Sequence, residues 1–128
     1  MKLIPDTHAL LWWASEDPRL SRRAKSLFSN PANELLISAA SAWEIVTKHR
    51  LGRLPEAELL VQDMSGWLTK LGLIELPITL AHARLAGSFT AAHGDPFDRM
   101  LSAQSLIEGV PILGCDQALL DFGVKLIW

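Results

Sequence analysis

His93-Gly94-Asp95-Pro96-Phe97-Asp98-Arg99 places two carboxylates at a helix entrance, directly after a glycine. Asp95 suits the N-cap, and Pro96 suits the first helical position, where a missing N–H leaves no hydrogen bond unmade. Asp98 then falls at the third position. Met100, Leu101, Ala103, Leu106 and Ile107 follow as an apolar run, which Gly109 closes. Read alone, the segment is a well-capped helix, and the dipole's preference for a first-turn acid, about 0.3 to 1 kcal/mol, would account for Asp98. Three further acids occupy similar settings, and together they shift the reading from scaffold to site.

The chain has 128 residues with 49% hydrophobic content, which predicts one globular domain spanning residues 1–128 with a substantial core. Twelve Lys and Arg against fourteen Asp and Glu give a formal net charge of -2, so no global field draws in a polyanion. Any nucleic-acid binding must come from a local basic patch. A single cysteine, Cys115, excludes an internal disulfide, and the four histidines lack zinc-type spacing. These features point to a reducing, cytoplasmic setting. The first residues contain no long apolar stretch, and Ala9–Ala14 is too short to span a bilayer, so no membrane association is expected.

Outward from the quoted stretch, apolar runs alternate with helical patterns. Lys2–Ile4 reads as a strand ending at or bulging near Pro5, and Asp6 follows before an apolar helix, Thr7–Ala14. Ser21 caps a helix to Ser29. Glu34–Ser38 is a strand, and a helix from about Ser41 to Arg50 puts Glu44 in its first turn, where Ser41 and Glu44 match a capping box. Glu56–Leu71 reads as one amphipathic helix ended by Gly72, and Leu73–Leu76 as a third strand. A helix ends near Gly87. After the helix that carries Asp98, Pro111–Gly114 is a strand delivering Asp116, a short helix reaches Phe122, and Val124–Trp128 is a last strand.

This alternation predicts an α/β fold, a mostly parallel sheet flanked by helices on both faces. Sites in such sheets lie beyond the carboxyl ends of the strands. Asp6 and Asp116 directly follow strands, while Glu44 and Asp98 begin helices at the same edge, so four acids from four segments can converge. Each has a scaffold reading as a cap. Clustered, however, carboxylates repel one another unless a cation neutralises them, and oxygen-only ligands suit a hard ion such as Mg2+ or Mn2+. Such ions activate water in phosphodiester hydrolysis.

Other α/β chemistries fit less well. A phospho-accepting receiver domain needs an acidic pair after the first strand and a lysine after the last, and neither occurs. Dehalogenase-type phosphatases place a second Asp where this chain has His8. There is no P-loop and no dinucleotide fingerprint. Trp12, Trp43 and Trp67 are expected in the core, although five tryptophans in a small chain equally suit a catalytically silent interaction module.

Four stretches carry a resemblance: Asp6-Thr7-His8-Ala9-Leu10-Leu11-Trp12-Trp13; Ser38-Ala39-Ala40-Ser41-Ala42-Trp43-Glu44-Ile45; Lys48-His49-Arg50-Leu51-Gly52-Arg53-Leu54; and Asp95-Pro96-Phe97-Asp98-Arg99. Together they resemble the PIN-domain ribonucleases of the VapC toxin family, essentially end to end. The resemblance implies a PIN-like three-layer fold and an endoribonuclease site dependent on Mg2+ or Mn2+. It also implies an RNA substrate, a cognate VapB-type antitoxin and a homodimer. Matched by position, the metal-site acids are Asp6, Glu44, Asp98 and Asp116, with Asp95 an accessory or a cap. A solitary PIN nuclease is the alternative within the family. Two positions depart from the family pattern: Pro5, where an aliphatic residue is usual, and Gly114, where Thr or Ser is usual.

Arg22, Arg23 and Lys25, and then Lys48, His49, Arg50 and Arg53, are the local positive concentrations available to an RNA backbone; they equally suit solvated helix faces. Thr7 reads as a cap or as a group orienting water. His8, His82 and His93 read as packing or surface residues, and Cys115 as a small side chain rather than a nucleophile.

Overall fold

The computed structural model describes all 128 residues. Five strands, β1 (Lys2–Pro5), β2 (Glu34–Ser38), β3 (Leu73–Leu76), β4 (Ile112–Leu113) and β5 (Leu126–Ile127), form one sheet in the order β3-β2-β1-β4-β5. Every pairing is parallel. The helices are α1 (Thr7–Ala14), α2 (Arg22–Ser29), α3 (Ala39–Arg50), α4 (Glu58–Gln62), α5 (Met64–Lys70), α6 (Leu80–Ser88) and α7 (Pro96–Glu108). Two 3-10 turns, Pro55–Ala57 and Gln117–Phe122, complete the regular structure. The result is the expected three-layer α/β architecture, with a sheet that is parallel throughout.

Both faces of the sheet are covered, which is why its strands read as continuous apolar runs rather than as alternating ones. Successive side chains nevertheless go to opposite layers. Leu3, Leu35 and Leu113 pack with Ala24 and Phe28 of α2, whereas Ile4 and Ile112 pack with Leu101 of α7 and with Leu119 and Phe122. A third cluster joins Leu10 and Leu11 of α1 to Ile37, Ile45, Leu54 and Leu60.

Pro5 ends β1 without a bulge. Ile4 and Asp6 donate their N–H groups to Pro111 and Leu113 on the β4 side, so the missing donor of Pro5 lies on the β2 side. There the register pairs only Lys2 and Leu3. Strand order reverses at β1, whose two neighbours are β2 and β4, and this topological switch point is where ligands bind in open parallel sheets.

Several boundaries differ from the sequence expectation. α3 starts at Ala39, not near Ser41, because Ser38 ends β2 and caps the helix at once, its hydroxyl accepting from Ala40 N at 3.0 Å. Glu44 therefore sits in the second turn, and no Ser41–Glu44 capping box forms. The expected Glu56–Leu71 helix is broken at Asp63, whose side chain turns back to accept from Gly66 N at 3.1 Å and caps α5. Short polar side chains compete in this way with helix continuation. Gly66 permits it, since a Cβ there would lie 2.1 Å from Asp63 Oδ2. β4 and β5 are shorter than expected, and the turn after Asp116 is 3-10 rather than α.

Candidate active site

Asp6 emerges at the carboxyl end of β1 and caps α1, its Oδ1 accepting from Ala9 N at 2.7 Å. The side chain is buried, at 7% exposure. Its second oxygen lies over Gly114: a Cβ at that position would sit 2.2 Å from Asp6 Oδ2. The glycine that departs from the family pattern thus makes room for the carboxylate in this orientation. Burial pushes the Asp6 carboxyl up to about 6, opposed by the Ala9 N–H and the nearby His8, and assisted by the charges of Asp98 and Asp116.

Glu44 is buried on α3 and held from two sides. Thr7 Oγ1 lies 2.5 Å from Glu44 Oε1 and 3.2 Å from Ser41 Oγ, while Lys48 Nζ lies 2.5 Å from Glu44 Oε2, one helical turn on. Thr7 is therefore neither cap nor free hydroxyl; Asp6 takes the cap and Thr7 orients Glu44.

α7 begins as its sequence predicts. Asp95 Oδ1 accepts from Phe97 N at 2.8 Å and Asp98 N at 3.0 Å, which makes Asp95 the N-cap. Asp98, in the first turn, meets His93 Nε2 at 2.8 Å through Oδ2. Burial raises the Asp98 carboxyl, aided by the charges of Asp95 and Glu44 and opposed by the His93 hydrogen bond. Asp116 is exposed and caps the 3-10 turn through Ala118 N at 3.0 Å.

The four sequence-derived acids therefore share one electrostatic neighbourhood: Asp6 feels Asp98 and Asp116, and Asp98 feels Glu44. No three His, Cys, Asp or Glu side chains close on a single point. Each carboxylate has a protein donor of its own, yet Asp6 Oδ2, Asp98 Oδ1 and Asp116 Oδ2 accept nothing from the protein. A donor set of carboxylate oxygens with free lone pairs fits a hard divalent cation, and mutual repulsion favours one.

Three features of the site were not read correctly from the sequence. His93, read as packing or surface, is a partner of Asp98, and nothing in its sequence spacing marks it. Lys48, read as part of a basic patch, turns inward to Glu44; the i,i+4 spacing was the available signal. Trp43, expected in the core, is 60% exposed and packs edge-to-face on Phe97, with ring centroids 4.8 Å apart. Trp43 precedes Glu44 in the chain as Phe97 precedes Asp98, so this aromatic contact joins α3 to the start of α7. His49 pairs with Glu58, which leaves Arg50, Arg53, Arg22, Arg23 and Lys25 as the exposed cations of the two basic stretches. Cys115 is exposed, and burial together with Asp6 and Asp116 raises its thiol, which keeps it protonated at neutral pH.

The family described as "PIN domain" matches residues 3–125. Among curated proteins, ribonuclease VapC16 of Mycobacterium tuberculosis (strain ATCC 25618 / H37Rv) is 35% identical over 78 residues, covering 56% of this chain and 55% of that protein. Ribonuclease VapC22 of the same strain is 29% identical over 120 residues, covering 91% and 88%. Among solved structures, VapBC2 from Rickettsia felis bound to a DNA fragment from their promoter superposes with a TM-score of 0.71 at 12% identity, covering 99% of this chain and 98% of that one. FitAcB from Neisseria gonorrhoeae gives 0.70 at 15% identity, covering 98% and 96%. At these identities the structural likenesses speak to the fold.

Proposed function

The chain belongs to the PIN domain family, and on that premise we propose that it is a Mg2+- or Mn2+-dependent endoribonuclease, the toxin of a VapB–VapC-type pair. What supports this reading is that Asp6, Glu44, Asp98 and Asp116 come from four segments around a parallel sheet with a switch point at β1, that Asp6 feels the charges of Asp98 and Asp116 and Asp98 that of Glu44, and that Asp6 Oδ2, Asp98 Oδ1 and Asp116 Oδ2 accept nothing from the protein. The ribonuclease names of VapC16 and VapC22 support the substrate class.

Asp6, Glu44, Asp98 and Asp116 would hold the metal, which supplies Lewis-acid polarisation of the phosphodiester and activation of water. The chain's own groups prepare that site. The Ala9 N–H and the space left by Gly114 fix the Asp6 carboxylate, which must shed a proton held more tightly than usual. Thr7 sets one Glu44 oxygen and Lys48 the other. His93 sets Asp98.

Hydrolysis of single-stranded RNA tests the reading. It should require Mg2+ or Mn2+, fall to a small residue in Asp6→Asn, Glu44→Gln, Asp98→Asn and Asp116→Asn, and be milder in Asp95→Asn. Full activity in EDTA, with a variant prepared alongside as a contamination control, would sink it. A VapB-type antitoxin, a homodimer and cytoplasmic action belong to the same proposal, and VapBC2, a relative in fold, is named as such a pair. No helix is long and apolar enough to cross a membrane. Co-expression with a VapB-type antitoxin should yield a complex inactive on RNA, the antitoxin covering the acids; a complex that stays active would refute that mode of inhibition. One observation favours a catalytically silent interaction module: Asp6 and Asp116 both make cap hydrogen bonds and no three acids converge. The same assay decides between the two.

A further inference from the structure

Arg99 follows Asp98 directly, and its half-buried guanidinium pairs with no carboxylate. It donates instead to four backbone carbonyls: Nε to Ala86 at 3.0 Å, Nη1 to Ala91 at 3.3 Å and His93 at 3.0 Å, and Nη2 to Phe89 at 2.7 Å. These carbonyls belong to the end of α6 and to the segment that leads to α7, where no helix or sheet ladder satisfies the backbone. The side chains of the segment are packed as well. Phe89 lies under Arg99 with 5.8 Å between guanidinium carbon and ring centroid, the Phe122 ring packs on Phe89 tilted by 49° with centroids 4.8 Å apart, and the His93 ring lies 5.5 Å from Phe122. The segment closes with His93 Nε2 on Asp98 Oδ2.

The helix that presents Asp98 therefore also presents the arginine that fixes the histidine gripping Asp98. We propose that Arg99 and His93 are positioning residues that act in series: Arg99 shapes the 86–93 backbone, that backbone places His93, and His93 holds Asp98 through Oδ2, leaving Oδ1 as the oxygen that would serve a divalent cation. This rests on the metal-nuclease reading above and deepens it. A single planar fork with five N–H donors can bind several carbonyls at fixed angles, which a lysine cannot imitate. Hydrogen-bonded partners of a ligating carboxylate commonly change metal affinity by about 10- to 100-fold when removed.

The test is Mn2+ titration by calorimetry of the wild type, Arg99→Lys, His93→Ala, His93→Gln and the Arg99→Lys/His93→Ala double variant, with melting in EDTA measured for each. Arg99→Lys and His93→Ala should each weaken Mn2+ binding by about tenfold or more, and His93→Gln, which keeps an N–H donor, should recover most of the loss. Because the two residues act through one chain of contacts, the double variant should bind no more weakly than the worse single variant. On RNA, kcat should fall with KM unchanged. Wild-type Mn2+ affinity in Arg99→Lys and His93→Ala, however far their melting in EDTA drops, would reduce both residues to scaffold and overturn the proposal. Losses that simply add would overturn action in series. Should Arg99→Lys fail to fold, His93→Ala against His93→Gln decides, and equal affinities reject the proposal. A wild type that binds no Mn2+ refutes the metal reading itself, which separates that failure from a failure of the positioning claim.

Discussion

Asp6 carries the sharpest single-residue consequence. Its carboxyl is raised to about 6 by burial, so between about pH 4 and pH 6 the folded protein binds more protons than the unfolded chain, for which the ordinary value is about 3.9. This contribution to stability is complete below pH 4 and is lost as pH rises through 6, by up to about 3 kcal/mol; Asp98 shifts in the same direction. Chemical denaturation from pH 4 to 8 should show stability falling across this window in EDTA, and Asp6→Asn should flatten the slope. A slope unchanged in Asp6→Asn would contradict the assignment. Gly114 follows from the same carboxylate. Gly114→Ala must displace Asp6 Oδ2, so in denaturant titrations it should cost about 0.5 to 2 kcal/mol, the value of an N-cap. In an Asp6→Ala background, where only the approach to the residue 6 Cβ at 3.3 Å remains, the same change should cost clearly less; an equal cost in both backgrounds would disconnect the two residues. The position of Asp6 was legible because it lies between a strand end and a helix start, and that of Asp98 because Asp95 and Pro96 mark the first turn that holds it. His93 was not, since its role depends on a segment folded over α7 rather than on any local spacing.

The elements that sequence periodicity fixed are those with unambiguous punctuation. Asp95, Pro96 and Gly109 bound α7 where expected, and Gly109 takes the left-handed conformation with φ of 66°. Where one residue serves two elements, periodicity misjudged the boundary: Ser38 closes β2 and caps α3, which moved Glu44 from the first turn to the second. The apolar spacing across residues 56–71 is continuous, yet the Asp63 side chain competes for the backbone and splits it. Two helical glycines test this account. Gly87 has open space around a Cβ, so Gly87→Ala should stabilise by about 0.5 to 1 kcal/mol. Gly66→Ala collides with the Asp63 cap and should destabilise by about 1 kcal/mol despite the better helix propensity. Thermal unfolding of both variants checks the pair, and a stabilised Gly66→Ala would show that the Asp63 cap does not hold the break.

At the scale of the molecule, the alternation of apolar runs with helical patterns was enough to specify a parallel sheet covered on both faces, and therefore the edge where strand ends and helix starts carry Asp6, Asp98 and Asp116. The strand order and the reversal at β1 came only from the structure, because β4 and β5 are two residues each and their pairing depends on long-range closure. The same topology gives every acid a scaffold reading and a site reading, since strand ends and helix starts coincide at this edge. Melting of the wild type, Asp98→Asn and Asp116→Asn in EDTA and in Mn2+ separates the two readings most directly. Asn retains capping ability while removing charge. If the acids form a metal site, both variants should be at least as stable as the parent in EDTA, relieved of repulsion, and should lose the rise in melting temperature that Mn2+ gives the wild type. Variants that melt well below the parent in EDTA yet keep the full Mn2+-induced rise would contradict a metal centre built from these four carboxylates.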